Sequence, residues 1–398
     1  MNAASPAGAG LMALLALAGG VAVANLYYAQ PLLAPIGASL GMPPAAAGLA
    51  MTVTQVGYGL GMLLVVPLGD RFENRRLIVT AFMVVSVALL CAGLARSPAV
   101  FLAAAFVCGL SACVAQVIVP FASHLSAPEA RGRAVGNVMS GLLLGMMLAR
   151  PLSSLVADVF GWRAIFLLSA ALVAGVAACL WRFAPQRHPE DGFRYSQLLS
   201  SMWSLLKANP VLRRRASVQF FLFGAFTLFW TAVPLLLMGP AYGMTQKGVA
   251  LFALIGVTGA AAAPLVGAAA DRGWSRLGAL VALGASAVSF LLAWPGGAGG
   301  GTQLALLVTA GVLIDCGVAA SLVISQRAVF ALGSEARSRL NGLFFFIFYS
   351  GGAVGSALGA WAFVTGGWPL SCLLGGGMTL AAAVIHLLPQ RSAGSAAS

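Results

Sequence analysis

Residues 46–68 read AAGLAMTVTQVGYGLGMLLVVPL, residues 69–76 read GDRFENRR, and residues 77–95 read LIVTAFMVVSVALLCAGLA. The two outer stretches carry no Asp, Glu, Lys or Arg, and each has about the ~20 residues a helix needs to cross a hydrocarbon core. The piece between them holds five charges in eight residues. Two apolar runs around a short charged turn describe a helical hairpin in a membrane, because in lipid every backbone N–H and C=O must be bonded within its own segment.

The rest of the chain repeats that pattern. Of 398 residues, 60% are hydrophobic and 8% are charged, where a soluble domain has roughly 25% charged residues. The mean hydropathy is +0.96. The 49 Gly and 19 Pro are scattered through apolar runs, with no collagen period and too much Leu, Val and Phe for disorder. Windows of ~19 residues place twelve spans near 9–30, 46–68, 77–95, 99–122, 134–157, 164–182, 216–238, 248–270, 277–294, 304–326, 340–364 and 369–388. Trp162, Trp181, Trp274, Trp294 and Trp368 sit at or near span ends, as interfacial anchors do. The first span has no basic residues before it and runs on through Asn25, Tyr27, Tyr28 and Gln30, so it is expected to stay as a span rather than be cleaved as a signal peptide.

The net charge of +13 would suggest nucleic acid in a soluble protein. Here it follows the positive-inside rule, and no nucleic acid is expected. With a cytoplasmic N-terminus, the loops on that side take Arg71, Arg75, Arg76, Arg131, Arg133, Arg182, Arg187, Arg194, Lys207, Arg213, Arg214, Arg215, Arg272, Arg276, Arg327, Arg337, Arg339 and Arg391. Only Arg96, Arg163 and Lys247 fall outside, and Arg150 lies within a span. Both termini are therefore expected in the cytoplasm of a bacterium, with the protein multi-pass in its inner (plasma) membrane. Residues 183–215 form the one long polar stretch and separate a six-span bundle at 1–182 from another at 216–398. Pro185, Pro189 and Gly192 argue against a continuous helix there, and Ser196–Lys207 can lie as an amphipathic helix on the membrane surface. The main role read for this stretch is a solvated linker held near anionic lipid by its Arg residues. The six cysteines (Cys91, Cys108, Cys113, Cys179, Cys316, Cys372) fall in or at the ends of apolar runs and are expected to be free, buried thiols. No spacing suggests a metal site or a cofactor.

The two bundles share an internal repeat. Asp70-Arg71 recurs as Asp271-Arg272, Glu129-Ala130-Arg131-Gly132-Arg133 as Glu335-Ala336-Arg337-Ser338-Arg339, and Gly161-Trp162 as Gly367-Trp368. Each pair follows the corresponding span of its bundle. Such duplication, with a site between the repeats at midplane, is a known design of secondary transporters.

Pro67-Leu68-Gly69-Asp70-Arg71-Phe72-Glu73-Asn74-Arg75-Arg76 resembles the loop signature GxxxDRxGxRR of the major facilitator superfamily, with Val66 and Glu73 in place of its two glycines. Gly267-Ala268-Ala269-Ala270-Asp271-Arg272 keeps the GxxxDR. The segment Asn25-Leu26-Tyr27-Tyr28-Ala29-Gln30-Pro31-Leu32-Leu33, with Thr54-Gln55-Val56-Gly57-Tyr58, resembles a bacterial branch of arabinose-efflux and drug-efflux permeases. The fifth span is similar to that branch's efflux signature in Gly141-xxx-Gly145 and Pro151, while Arg150, Ser153 and Ser154 depart from it. The resemblance covers nearly the whole chain. It implies an all-α polytopic membrane protein of twelve transmembrane helices in two pseudo-symmetric six-helix bundles, the major facilitator fold, with spans one, four, seven and ten lining the cavity.

Charges within a span default to functional candidates because they cost a few kcal/mol to place there. Asp315 lies near the middle of the tenth span with no Lys or Arg at i±3 or i±4. It suits proton or substrate binding, or else a buried structural carboxylate. Arg150 can hold an anionic group of a substrate, pair with Asp158 or Asp315, or snorkel outward. Candidates for the cavity wall are Asn25, Tyr28, Gln30, Gln55, Tyr58, Gln116, Gln219, Trp230, Gln326, Asn341 and Tyr349, each of which can equally bond between helices. The cytoplasmic gate is expected from Asp70, Arg71, Arg75, Arg76, Glu129, Arg131, Asp271, Arg272, Glu335 and Arg337. An Asp at a helix start meets the positive end of the dipole, and the neighbouring Arg can pair across to another span. The spacings Gly57-xxx-Gly61, Gly141-xxx-Gly145 and Gly351-xxx-Gly355 serve close helix packing.

Histidines 124, 188 and 386 are scattered and no phosphate loop occurs, so neither an enzyme nor an ATP-driven pump is expected. A channel filter is also missing. The sequence reads as a monomeric secondary transporter, by alternating access, with protons, a small-molecule substrate and the lipid bilayer as its partners. Proton-coupled export of a drug-like, sugar-like or siderophore-like compound leads. A nutrient symporter or uncoupled facilitator is the alternative, and a non-transporting sensor is a remote one.

Overall fold

The computed structural model describes residues 9–127, 130–188, 195–259, 266, 274–332 and 337–388. Among them every regular element is helical. Nine helical segments are long and apolar enough to cross a membrane; Ala9–Ala24 and Gln246–Gly259 are shorter, and Arg339–Leu387 contains two spans. Together they account for the twelve spans read from hydropathy.

Several spans depart from straight helices where the sequence gives a reason. The first ends as regular helix at Ala24, passes through turns, and resumes as the 3₁₀ turn Gln30–Leu32 and the helix Leu33–Leu40. The Asn25 amide donates to the Val21 carbonyl at 2.8 Å, a local bond that competes with the helix ladder, and Pro31 has no N–H to continue it. The fourth span divides into Pro98–Ala112 and Ala115–His124. The helix Arg337–Leu387 is broken at Gly367, with φ 66° and ψ −162°, which separates the eleventh span from the twelfth. Gly161, between the fifth (Arg131–Phe160) and sixth (Trp162–Phe183) spans, has φ 80° and ψ 161°. Both members of the Gly-Trp repeat thus make the same turn, in a region that only Gly occupies readily. The Trp after each is buried: Trp368 donates to the Ala293 carbonyl at 2.7 Å, and Trp162 packs edge-on to Phe101 and Phe166. These two are packing residues rather than the interfacial anchors expected, whereas Trp181, Trp274 and Trp294 are exposed.

Glycines set the closest helix pairs. Gly141 and Gly145 of the fifth span sit directly on the Ala16 and Gly20 carbonyls of the first. Gly351 and Gly355 of the eleventh sit in the same way on the Phe220 and Gly224 carbonyls of the seventh (Pro210–Met238). Gly57 and Gly61 of the second (Leu49–Leu64) meet the Phe106 and Leu110 carbonyls of the fourth. The corresponding pairs of the two halves, one with five and seven with eleven, both pack through a glycine pair on the later span. Two contacts join spans from opposite ends of the chain. The second meets the eleventh through Thr52 and Ser356, 3.0 Å apart, and through the rings of Tyr58 and Tyr349, 4.3 Å apart. The fifth meets the eighth, where the Lys247 N–H donates to Asp158 at 3.3 Å.

All six cysteines are free. Cys108, Cys113 and Cys372 are buried as expected, whereas Cys91 and Cys179 lie on the outer surface, where the apolar neighbours that suggested burial are lipid-facing. The helix Tyr195–Ala208 covers the amphipathic stretch of the linker.

Glu73 caps the third span, Asn74–Leu94, by accepting from the N–H groups of Arg75 at 2.8 Å and Arg76 at 3.0 Å. Glu73→Ala is expected to destabilise the protein by about 1 kcal/mol, read as a lower Tm of the purified chain, with Glu73→Asp avoiding most of that loss. An unchanged Tm would mean the cap contributes nothing.

Candidate functional site

The broken first span turns Tyr27 and Gln30 inward, and the long fifth span carries Arg150 to the same depth. Both Gln30 and Arg150 are buried. Arg150 Nε donates to Gln30 Oε1 at 2.8 Å. The guanidinium carbon lies 4.5 Å from the Trp230 ring centre, 5.1 Å from Phe226 and 5.2 Å from Tyr27. Arg150 is therefore a caged cation and does not snorkel. Placing it at this depth costs about 2.5–3.5 kcal/mol on insertion scales, and desolvated cation–π contacts of about 2 kcal/mol each offset that.

Asp315 enters from the opposite side, on the tenth span (Gly301–Phe330). Its Oδ2 accepts from Trp230 Nε1 at 3.1 Å. The Trp230 indole thus lies under the cation with its face and holds the carboxylate with its edge. Gly256 of the eighth span provides the space: a methyl there would lie 3.3 Å from Arg150 Nη1 and 3.9 Å from Asp315 Oδ1. Gly259 packs similarly on the Asp315 backbone. The two charges share this pocket without direct contact; among the described residues, the ion pair within 4.0 Å is Glu73–Arg76. Asp158, the other partner considered for Arg150, instead accepts from Lys247.

Tyr58 and Tyr349 continue the cluster. Gln116 donates to the Tyr58 hydroxyl at 3.4 Å, and Tyr349 also packs against Phe223. Gln55, between the second and eleventh spans, is buried with neither end of its amide bonded. Asn341 Oδ1 is likewise buried without a partner, and Gln326 is half-buried. Two candidates point elsewhere: Gln219 donates to Ser321 and Ser325 at 2.8 and 3.4 Å, and Asn25 accepts from Ser169 at 2.6 Å, with Tyr28 beside the same serine. These bind neighbouring helices together.

At the end of the third span next to the Asp70-Arg71 loop, Arg75 donates to the Trp181 and Ala184 carbonyls at 3.4 and 3.2 Å and lies 4.9 Å from the Trp181 ring. It latches the loop between the second and third spans to the end of the sixth span. Asn74 and Glu73 bond Arg187 in the same latch. Asp70, Arg71, Arg76 and Arg131 are exposed. Glu129, Asp271, Arg272 and Glu335 lie outside the described residues, as does the side chain of Arg337.

Sequence reading singled out Arg150, Asp315, Trp230 and Gln30, and missed Tyr27, Phe226 and Gly256 as their neighbours. Tyr27 gave a signal in that it belongs to the polar end of the first span; Phe226 was one of many phenylalanines, and Gly256 carries no chemistry to notice.

A bundle of apolar helices with interrupted spans, and a buried cation and carboxylate brought together from distant spans, is the construction of a secondary transporter. The chain belongs to the Major Facilitator Superfamily, which it matches over residues 15–330 and 216–398. It is 36% identical over 370 residues to "Uncharacterized transporter YgaY" of Escherichia coli O157:H7, covering 93% of each chain. It is 26% identical over 354 residues to "Chloramphenicol efflux pump Rv0191" of Mycobacterium tuberculosis, covering 85% of this chain and 84% of the other. A bacterial homolog of the human lysosomal transporter Spinster, inward-facing and occupied, superposes with a TM-score of 0.74 at 16% identity over 96% of both chains. The protein is thus a multi-pass membrane transporter and not an enzyme.

Proposed function

We propose that this transporter exports small, largely apolar organic molecules in exchange for protons, with Asp315 carrying the proton and Arg150 its counter-charge. The carrying observation is the shared placement of Arg150 and Asp315 around Trp230 and Gly256. With Asp315 ionised, the pair is neutral overall and its ring-lined surroundings suit an apolar compound. With Asp315 protonated, Arg150 is left unbalanced, and a buried unbalanced charge is strongly unfavourable until water or an anion reaches it. Proton and apolar substrate therefore exclude one another, which is the condition for antiport. The likeness to a protein named as a chloramphenicol efflux pump supports the same direction.

In this reading a monomer sits in a bacterial inner membrane with both termini inside. Bundles 1–182 and 216–398, joined by 183–215, rock about the site, and the loops at Asp70-Arg71 and Asp271-Arg272 close the cytoplasmic side. Arg150 Nη2 has no partner, which favours a second reading: an anionic substrate bound there would be helped by the proton, and the two would travel together.

The test is proton movement in inside-out vesicles on adding chloramphenicol, other lipophilic drugs, sugars or siderophore-like chelators. Proton efflux is expected with one of them, and at least about tenfold less in Asp315→Asn. Unchanged flux in Asp315→Asn removes that residue as carrier. Proton uptake with the substrate establishes symport, and labelled substrate moving without protons makes the protein a facilitator.

A further inference from the structure

We propose that a groove between the third and fourth spans seats one anionic phospholipid, with an acyl chain in the groove and the phosphate on Arg96. The inference is independent of the substrate and of the direction of transport.

The two helices of this hairpin are drawn to different neighbours. In the third span, Ser86 donates to the Ala170 carbonyl at 2.8 Å and Gly93 packs against Leu167, which holds that helix on the sixth. In the fourth, Gly109 sits on the Thr54 carbonyl, and Gly57 of the second sits on the Phe106 carbonyl, which holds this helix on the second. Between them lies a groove of about 590 Å3, walled by Val84, Val87 and Cys91 of the third span and Val100, Ala103 and Val107 of the fourth. Ala88 and Ala104 at its floor are buried, so it is closed behind and open toward lipid.

From Thr80 to Cys91 the wall runs about 16 Å at ~1.5 Å per residue. That is about half of the ~30 Å hydrocarbon core, the depth of one leaflet. The lining offers one hydroxyl, on Thr80, which is too little to orient a polar compound. Lipid tails are as apolar as these walls, so an acyl chain gains packing there, and the choice among lipids falls to the headgroup.

The loop Ala95-Arg96-Ser97 joins the two helices at the end of the groove where Cys91 and Val100 stand. Arg96 is exposed and forms no ion pair among the described residues. Arg163 stands beside the same loop, donating to the Ala95 carbonyl at 3.0 Å and to Ser39 at 2.9 Å. Both acceptors are neutral, so its charge is also unmatched. The sequence places one carboxylate, Asp158, at this end of the spans, and it accepts from Lys247. The two arginines therefore call for an anion from outside the chain, and an anionic headgroup supplies it at the membrane surface.

The test titrates the purified full-length chain, in detergent micelles, with phosphatidylglycerol or phosphatidylethanolamine. Labelling of Cys91 by N-ethylmaleimide is followed by peptide mass spectrometry, with Cys179, exposed on the sixth span, as the internal reference. Phosphatidylglycerol is expected to protect Cys91 saturably and to leave Cys179 reactive, while phosphatidylethanolamine needs about fivefold more lipid for half-protection. Arg96→Gln should raise the half-protecting concentration of phosphatidylglycerol about fivefold. Ala103→Trp, which fills the groove from an exposed position, should retain one phosphatidylglycerol fewer by native mass spectrometry. Leu172→Trp, on the exposed face of the sixth span, should retain the wild-type number. Equal protection of Cys91 and Cys179 leaves only a general lipid annulus and overturns the proposal. Equal protection by the two lipids, or an unchanged response in Arg96→Gln, overturns it too. The exporter reading fails separately, on normal proton flux in Asp315→Asn vesicles, whatever lipid binds.

Discussion

Arg150→Lys is expected to lower substrate-driven proton movement by at least about tenfold, and Arg150→Leu to abolish it, in vesicles with matched amounts of protein. Lysine keeps the charge but concentrates it on one nitrogen. It cannot donate to Gln30 through a fixed Nε–H while lying across Tyr27, Phe226 and Trp230. A hydrogen bond from a charged donor contributes about 1.5–3 kcal/mol, or roughly 10–100-fold. Leucine removes the counter-charge altogether and leaves the Asp315 carboxylate with Trp230 Nε1, and breaking a buried pair in this way costs about 3–5 kcal/mol. Near-normal flux in Arg150→Lys would show that a positive charge suffices and that the ring cage only packs.

Gly145→Ala and Gly355→Ala are expected to reduce the yield of folded, monodisperse protein severely on size-exclusion chromatography. A methyl at either position would press on a backbone carbonyl, that of Gly20 or Gly224. A carbonyl inside a helix cannot step aside as a side chain can. Overpacking of a core costs about 1–3 kcal/mol even where side chains give way, and here the helices themselves must separate. Gly136→Ala, in the same fifth span, meets nothing within 4 Å and should be neutral or slightly stabilising, since Ala is the better helix former by about 1 kcal/mol. Equal yields for all three would mean that the crossing of spans one and five, or seven and eleven, is loosely held.

Hydropathy located the spans because lipid imposes a single requirement on each, a long apolar helix. The Gly-Trp repeat was legible for a similar reason: a left-handed turn accepts little besides Gly, so the same dipeptide marks the same corner at Gly161 and Gly367. The exact place of the break after Ala24 was not legible, since a single Asn can also sit within a span; here its amide donates to the Val21 carbonyl. For the site, charge alone exposed Arg150 and Asp315, because each is unusual at its depth. Their shared neighbour Trp230 was one polar-edged ring among several, with Phe226 one turn before it on the seventh span, and Tyr27 and Gly256 come from two further spans that no local periodicity relates. Gln219 shows the converse, a polar residue on a cavity-lining span that bonds to the neighbouring tenth helix.

The neighbours of Arg150 are also ordered in time. Tyr27 and Gln30 precede it in the chain, while Phe226, Trp230 and Asp315 follow it. As synthesis proceeds, the fifth span must settle in the bilayer before the ribosome has made most of the groups that cage its cation. During that interval the nascent protein carries an uncovered arginine at a depth that costs about 2.5–3.5 kcal/mol, with one ring and one amide oxygen to offset it. Emergence of the seventh and tenth spans completes the cage around that cation. Biogenesis of the first bundle is therefore completed by the second.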